Sequence, residues 1–154
     1  MTEQSQPVTP YVLIVDDNPE IREILSLLLS GEGFLTAEAA DGPSALTQIK
    51  NIVFDLIILD VMMPGLDGYR TCKAIREVTN APILFLSAKT QEHDKVLGSA
   101  SGGDDYLAKP FSYNELISRS KALIRRYQVY KGKNESGNQS INSASVNPTA
   151  EPIA

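Results

Sequence analysis

Two apolar rhythms alternate along this chain, and that alternation narrows its folding choices more than any other feature. Short apolar runs recur at Tyr11–Val15, Phe34–Ala37, Leu56–Leu59, Ile83–Leu86 and Asp105–Ala108. Between them lie stretches whose apolar residues have helical spacing. Ile21, Ile24, Leu25 and Leu28 follow an i, i+3, i+4, i+7 pattern behind Pro19, which suits a first helical position. Ala45, Leu46 and Ile49 form a second stripe, and Tyr69, Cys72 and Ile75 a third. A fourth helix around Glu92 to Ala100 has the weakest pattern, because Gly98 and Ser99 stand where stronger helix formers would help. The last stripe, Leu116, Leu123 and Tyr127, opens with the capping-box spacing Ser112-x-x-Glu115.

Strands that alternate singly with helices are joined by crossovers, which predicts an α/β fold with a mostly parallel, doubly wound sheet and helices on both faces. Val12–Val15 and Leu56–Leu59 are wholly apolar, as expected of central strands buried on both sides. In such a sheet, ligands bind beyond the carboxyl ends of the strands, where strand order reverses.

Composition removes several classes of function. The net charge of −5 argues against this chain itself holding DNA, which needs a basic face. A single cysteine, Cys72, excludes an internal disulfide or a cysteine-built zinc site, and it reads as a small hydrophobe on an inner helix face. No apolar run approaches the roughly 18 residues of a membrane span, so no membrane role is expected. Met1 to Pro10 is a polar extension without the pattern of a signal peptide, and a cytoplasmic location is expected. The domain is therefore placed at 11–128. From residue 129 onward the chain reads as a disordered tail or truncated linker, since Lys131 to Ala154 is rich in Asn, Ser and Gly and poor in residues that bury.

Polar residues with reactive side chains stand where the strands end. The first strand delivers Asp16 and Asp17, the third Asp60, the fourth Ser87, and the fifth is followed by Lys109. If the first and third strands are neighbours, three carboxylates converge. Two such charges ~5 Å apart repel by roughly 3 kcal/mol at an effective dielectric of ~20, so positive charge is required. Lys109 supplies one charge. A divalent cation supplies more, and oxygen ligands with no clustered His or Cys suit Mg²⁺. An Asp held beside Mg²⁺ and Lys is a nucleophile toward phosphorus, and Ser87 has a hydroxyl to offer a phosphoryl oxygen. Each residue alone has a plainer reading: Asp17 or Asn18 as a helix cap, Lys109 and His93 as surface residues, Ser87 as a loop residue.

At these residues the sequence resembles the receiver domains of two-component response regulators, over roughly residues 10 to 128. The matching stretches are VLIVDDNPEIREIL, DLIILDVMMPGLDGYRTCKAIR, ILFLSA and GGDDYLAKPF. The resemblance implies a flavodoxin-like sheet of strand order 2-1-3-4-5. It implies Asp60 as phospho-acceptor, with Mg²⁺ held by Asp17, Asp16, Asp60 and the backbone carbonyl of Met62. Ser87 falls at the hydroxyl position, Tyr106 at the aromatic switch position and Lys109 at the phosphate-binding lysine, with a cis bond to Pro110. Pro64, Gly65 and Gly68 match the loop after the acceptor. The implied partner is a sensor histidine kinase.

The likeness is strongest to the OmpR-like class, whose receivers form homodimers through the fourth helix, fifth strand and fifth helix. Lys95, Asp104, Asp105, Glu115, Arg119, Lys121 and Arg126 stand at the charged positions of that face. Full-length members of the class bind DNA through a C-terminal winged-helix domain, for which the residues after Lys131 are too few. Ser99 and Gly103 replace residues that are commonly Leu and Ala. Small Ala88 is expected to leave the phosphoryl group open to water.

Two other readings fit less well. A haloacid-dehalogenase-type phosphatase carries its nucleophile in a DxDx[TV] motif after the first strand, where this chain has Asp16-Asp17-Asn18. A flavin-binding module needs a Ser/Thr/Gly-rich phosphate loop there, and acidic DDNPE is opposite in charge.

Overall fold

A computed structural model describes residues 9–61, 68–87 and 104–140, the last ten as backbone. The elements run β1 (Tyr11–Val15), α1 (Pro19–Gly31), β2 (Leu35–Ala39), α2 (Gly42–Asn51), β3 (Leu56–Asp60), α3 (Gly68–Arg76), β4 (Ile83–Ser87), β5 (Asp105–Ala108) and α4 (Tyr113–Ser140). All strand pairs are parallel and the sheet order is β2-β1-β3-β4-β5, the expected doubly wound α/β arrangement. The helix expected at Glu92 to Ala100 lies outside the described residues, so α4 here is the fifth helix of the sequence pattern.

Strand pleating explains the unbroken apolar runs. Leu13, Val15, Ile57, Leu59, Ile83 and Phe85 point to one side of the sheet, into a core with Ala45 and Ile49 of α2 and Cys72 and Ile75 of α3. Val12, Ile14, Leu56, Ile58, Leu84 and Leu86 point to the other, against Leu25 and Leu29 of α1 and Leu116, Ile117, Leu123 and Ile124 of α4. Successive residues face opposite layers, so the central strands are apolar at every position up to their carboxyl ends, where Asp60 closes β3 and Ser87 closes β4.

The helix starts follow the capping logic. Asn18 caps α1, its side chain accepting from the Glu20 amide at 2.9 Å, and Asp41 caps α2 through the Ser44 amide at 2.8 Å. The capping box closes reciprocally: the Ser112 amide donates to Glu115 at 3.1 Å and the Glu115 amide donates to Ser112 Oγ at 3.0 Å. Such caps satisfy amides that the first helical turn leaves without partners.

Three expectations shift. The second strand begins at Leu35, because the Phe34 amide turns back to the Leu29 carbonyl (3.2 Å) and the ladder starts with the Leu35 amide on Pro10 (2.9 Å). Gly33, at φ 94°, makes that turn, a conformation glycine adopts without a Cβ penalty. On α1, Ile24 is 50% exposed although its spacing fits the stripe, and Leu29 is buried in its stead. The sheet contacts the helix along the line of Ile21, Leu25, Leu28 and Leu29. Finally, α4 runs to Ser140, so 129–140 is helical where composition pointed to a tail. Once a helix is nucleated, each further residue adds a backbone hydrogen bond, a local term that a composition-based argument does not see. Residues 141–154 are outside the described part. Among the described residues no helix is long and apolar enough to cross a membrane.

The exposure pattern makes a sharp prediction. Leu29→Ala should cost about 2–5 kcal/mol, while Leu27→Ala, at a position 66% exposed, should change stability by about 0.5 kcal/mol or less. Urea denaturation of both variants measures it, and equal losses would mean that α1 sits in a different rotation.

Candidate functional site

Topology brings the carboxylates together. β1 and β3 are direct neighbours in register Val15↔Leu59, so Asp16, one residue past β1, comes level with Asp60 at the end of β3. Both fall on the same side of the pleat, and adjacent strands lie about 4.8 Å apart. One oxygen each of Asp16, Asp17 and Asp60 lie within 4.8 Å of one another. Asp16 and Asp60 are buried and Asp17 is exposed.

Buried like charges at this spacing oppose folding by about 3 kcal/mol at an effective dielectric of ~20. The compensation comes from β5. Lys109, one residue past that strand, places Nζ 3.6 Å from Asp16 Oδ2 and 3.6 Å from Asp60 Oδ1. Its amide donates to the Ser87 carbonyl at 2.7 Å, which ties it to the end of β4, and the Lys109–Pro110 bond is cis as expected.

One lysine does not satisfy three carboxylates. Asp16 Oδ1 accepts from the Asn18 amide at 2.9 Å, but among the described residues Asp16 Oδ2 is buried without a hydrogen bond. An all-oxygen cluster with a buried acceptor left over fits a hard divalent cation, and Mg²⁺ matches that ligand chemistry.

The surroundings are tightly built. An added Cβ on Gly68 would meet the Asp60 carbonyl oxygen at 2.5 Å and Val61 Cα at 2.6 Å, so α3 can start against the end of β3 only with glycine there. The Gly68 amide donates to the Val61 carbonyl at 3.0 Å. Ser87, at the end of β4, is fully buried. Tyr106, level with Phe85 across β4 and β5, packs against the α2/α3 core, and its hydroxyl lies 2.7 Å from that of Tyr69. Phe85 sits between the two rings, 5.2 Å from Tyr69 and 5.8 Å from Tyr106.

Comparison with known proteins agrees with this arrangement. The family model "Response regulator receiver domain" matches residues 12–121. The chain belongs to that family. A receiver domain of the Francisella response regulator 1452 superposes with TM-score 0.73 at 40% identity, covering 77% of this chain and 98% of the other. Chemotaxis protein CheY4 of Vibrio cholerae gives TM-score 0.73 at 35% identity, covering 75% and 99%. Among curated proteins, the DNA-binding response regulator MtrA of Mycolicibacterium smegmatis is 46% identical over 115 residues, which is 75% of this chain and 50% of MtrA. The receiver chain spans about half the length of the curated relatives it matches. These close homologues are DNA-binding or transcriptional response regulators of the OmpR family, the class the sequence motifs resemble.

The receiver fold thus draws Asp16, Asp17, Asp60 and Lys109 into one site, with Ser87 and Tyr106 on the neighbouring strands. Met62, Pro64, Gly65, Ala88, His93, Lys95, Ser99 and Gly103 lie outside the described residues. Most charges expected on a dimer face are engaged within the chain. Asp105 pairs with Arg119 at 2.9 and 3.0 Å, and Asp104 binds Arg76 of α3 and the Ile83 amide. Lys121 reaches Glu32 at the end of α1 at 2.9 Å, Glu115 closes the capping box, and Arg126 is exposed. Sequence reading missed the hydroxyl contact of Tyr69, because its helical spacing accounted for the ring as core. It likewise missed Arg76, whose partner lies 28 residues away.

Removing one charge from the cluster should relieve it. In Mg²⁺-free buffer, Asp60→Asn is expected to unfold at higher urea concentration than wild type, by on the order of 1 kcal/mol. Equal or lower stability would show that Lys109 already outweighs the repulsion.

Proposed function

We propose that this chain is a phosphate switch: Asp60 accepts a phosphoryl group from a phosphohistidine of a sensor histidine kinase, with Mg²⁺ as cofactor. The single observation that carries the reading is Lys109 Nζ placed 3.6 Å from both Asp16 and Asp60 at the edge where three carboxylates converge. Asp16, Asp17, Asp60 and the Met62 carbonyl would hold the ion. When bound, Mg²⁺ supplies positive charge that lets an anionic phosphoryl group approach an anionic acceptor.

Asp60 attacks phosphorus in line, forming a P–O bond as the P–N bond to the donor histidine breaks, and the departing imidazole takes up a proton. Lys109 stabilises the charge on the transferred oxygens. The Ser87 hydroxyl then donates to a phosphoryl oxygen, and Tyr106 follows as its surroundings change, a local electrostatic event with a distant readout. Water can later attack the aspartyl phosphate, so the chain dephosphorylates itself. It turns over no external substrate in the enzymatic sense.

The output reading is a homodimer through the face of β5 and α4, in a protein that acts in the cytoplasm. In-chain pairs such as Asp105–Arg119 would exchange for pairs across the dimer. Each exposed pair is worth only about 0–1 kcal/mol, so the face selects a register more than it supplies affinity. Regulation of transcription through a winged-helix domain belongs to full-length relatives, and the DNA contact is assigned to that domain.

Incubation with acetyl phosphate and Mg²⁺ should add one phosphoryl group by intact mass, and Asp60→Asn should add none. Modification that persists in the variant would overturn the assignment of Asp60. For the output, beryllofluoride with Mg²⁺ should convert the chain to a dimer in sedimentation velocity, weakened in Arg119→Met. A monomer at high concentration would sink the dimer reading.

A further inference from the structure

We infer that Arg22 is a positioning residue for the acidic site, setting the direction of Asp17 through the backbone of residue 16. The inference rests on the Mg²⁺ reading above. Asp17 is the one exposed carboxylate of the three, and among the described residues none holds its side chain. Its direction is therefore governed by the peptide units on either side of it.

The two peptide units that flank Asp16, the second of which leads into Asp17, are both tied to β2, the second of them through Arg22. The Asp16 amide donates to the Ala39 carbonyl at 3.1 Å. The Asp16 carbonyl, past the end of the strand ladder, accepts from Arg22 Nη1 at 2.6 Å. Arg22 is itself fixed: its Nε donates to Glu38 of β2 at 3.1 Å, its amide donates to the Asn18 carbonyl at 3.1 Å, and its side chain is only 17% exposed. The planar guanidinium fork can serve a carboxylate and a carbonyl at once, which a lysine cannot do with the same geometry. Glu38, Arg22 and the Asp16 carbonyl thus form a chain of contacts from β2, across the first turn of α1, to the turn that carries Asp17.

The charge of Arg22 argues in the opposite direction from its geometry, and this makes the role testable. A cation acting only through space would oppose a second cation, so removing it would tighten Mg²⁺ binding. A guanidinium that holds the turn would weaken Mg²⁺ binding when removed. Partners of metal ligands typically contribute 10–100-fold in affinity.

The test is a titration of the whole chain with Mg²⁺, followed by amide NMR shifts around Asp17. Arg22→Met, which keeps the aliphatic stem, should raise the Kd about tenfold while the amide spectrum stays dispersed. Arg22→Lys should recover part of the loss, and Glu38→Gln should weaken binding two- to threefold. If Arg22→Met fails to fold, Glu38→Gln, at a side chain 41% exposed, carries the test by itself. Wild-type binding with an unchanged or tighter Kd in these variants overturns the positioning role alone. No Mg²⁺ binding by wild type overturns the metal reading and this inference with it.

Discussion

Everything at the carboxyl edge of this sheet depends on the repulsion between Asp16, Asp17 and Asp60. Three carboxylates with oxygens inside 4.8 Å do not gather spontaneously. They are forced together by two central strands whose apolar faces are buried on both sides. Burial of β1 and β3 far outweighs a few kcal/mol of electrostatic strain, so the core decides where the charges go. Lys109 offsets part of the strain and leaves the site short of positive charge. Such a demand is the kind that a hard divalent cation on oxygen ligands meets.

The elements around the edge serve this placement. Gly68 lets α3 begin against the Asp60 backbone at a distance no other residue would allow. The tie from the Lys109 amide to the Ser87 carbonyl holds the lysine to the strand that also supplies the hydroxyl. Tyr69, Phe85 and Tyr106 form a row from the start of α3 through β4 to β5. The row ends at β5, the strand on which Asp105 stands paired with Arg119.

Much of this was legible in the chain itself. The alternation of strand and helix patterns led to the parallel sheet, and the polar residue after each apolar run led to Asp16, Asp17, Asp60, Ser87 and Lys109. These signals are strong because a strand buried on both sides tolerates no polar residue, so the first polar side chain marks its end. The capping box and the cap at Asn18 are equally local, as is the Asp41 cap that the sequence reading passed over. Each is a bond between residues two or three apart.

Other features needed the folded chain. Periodicity placed Ile24 inside and missed that α1 turns Leu29 to the sheet, because spacing defines a stripe but not its rotation against a neighbour. Composition ended the domain near residue 129 and missed the helix to Ser140, because helix propagation adds a local backbone hydrogen bond at each residue. Arg22 with Asp16 and Glu38, Arg76 with Asp104, and Tyr69 with Tyr106 join residues from separate elements. The residues alone specified the strands, the helices and the polar groups at their ends, since local apolar spacing governs burial. Folding specified which of those groups touch, since contact between distant residues depends on strand order, register and helix rotation.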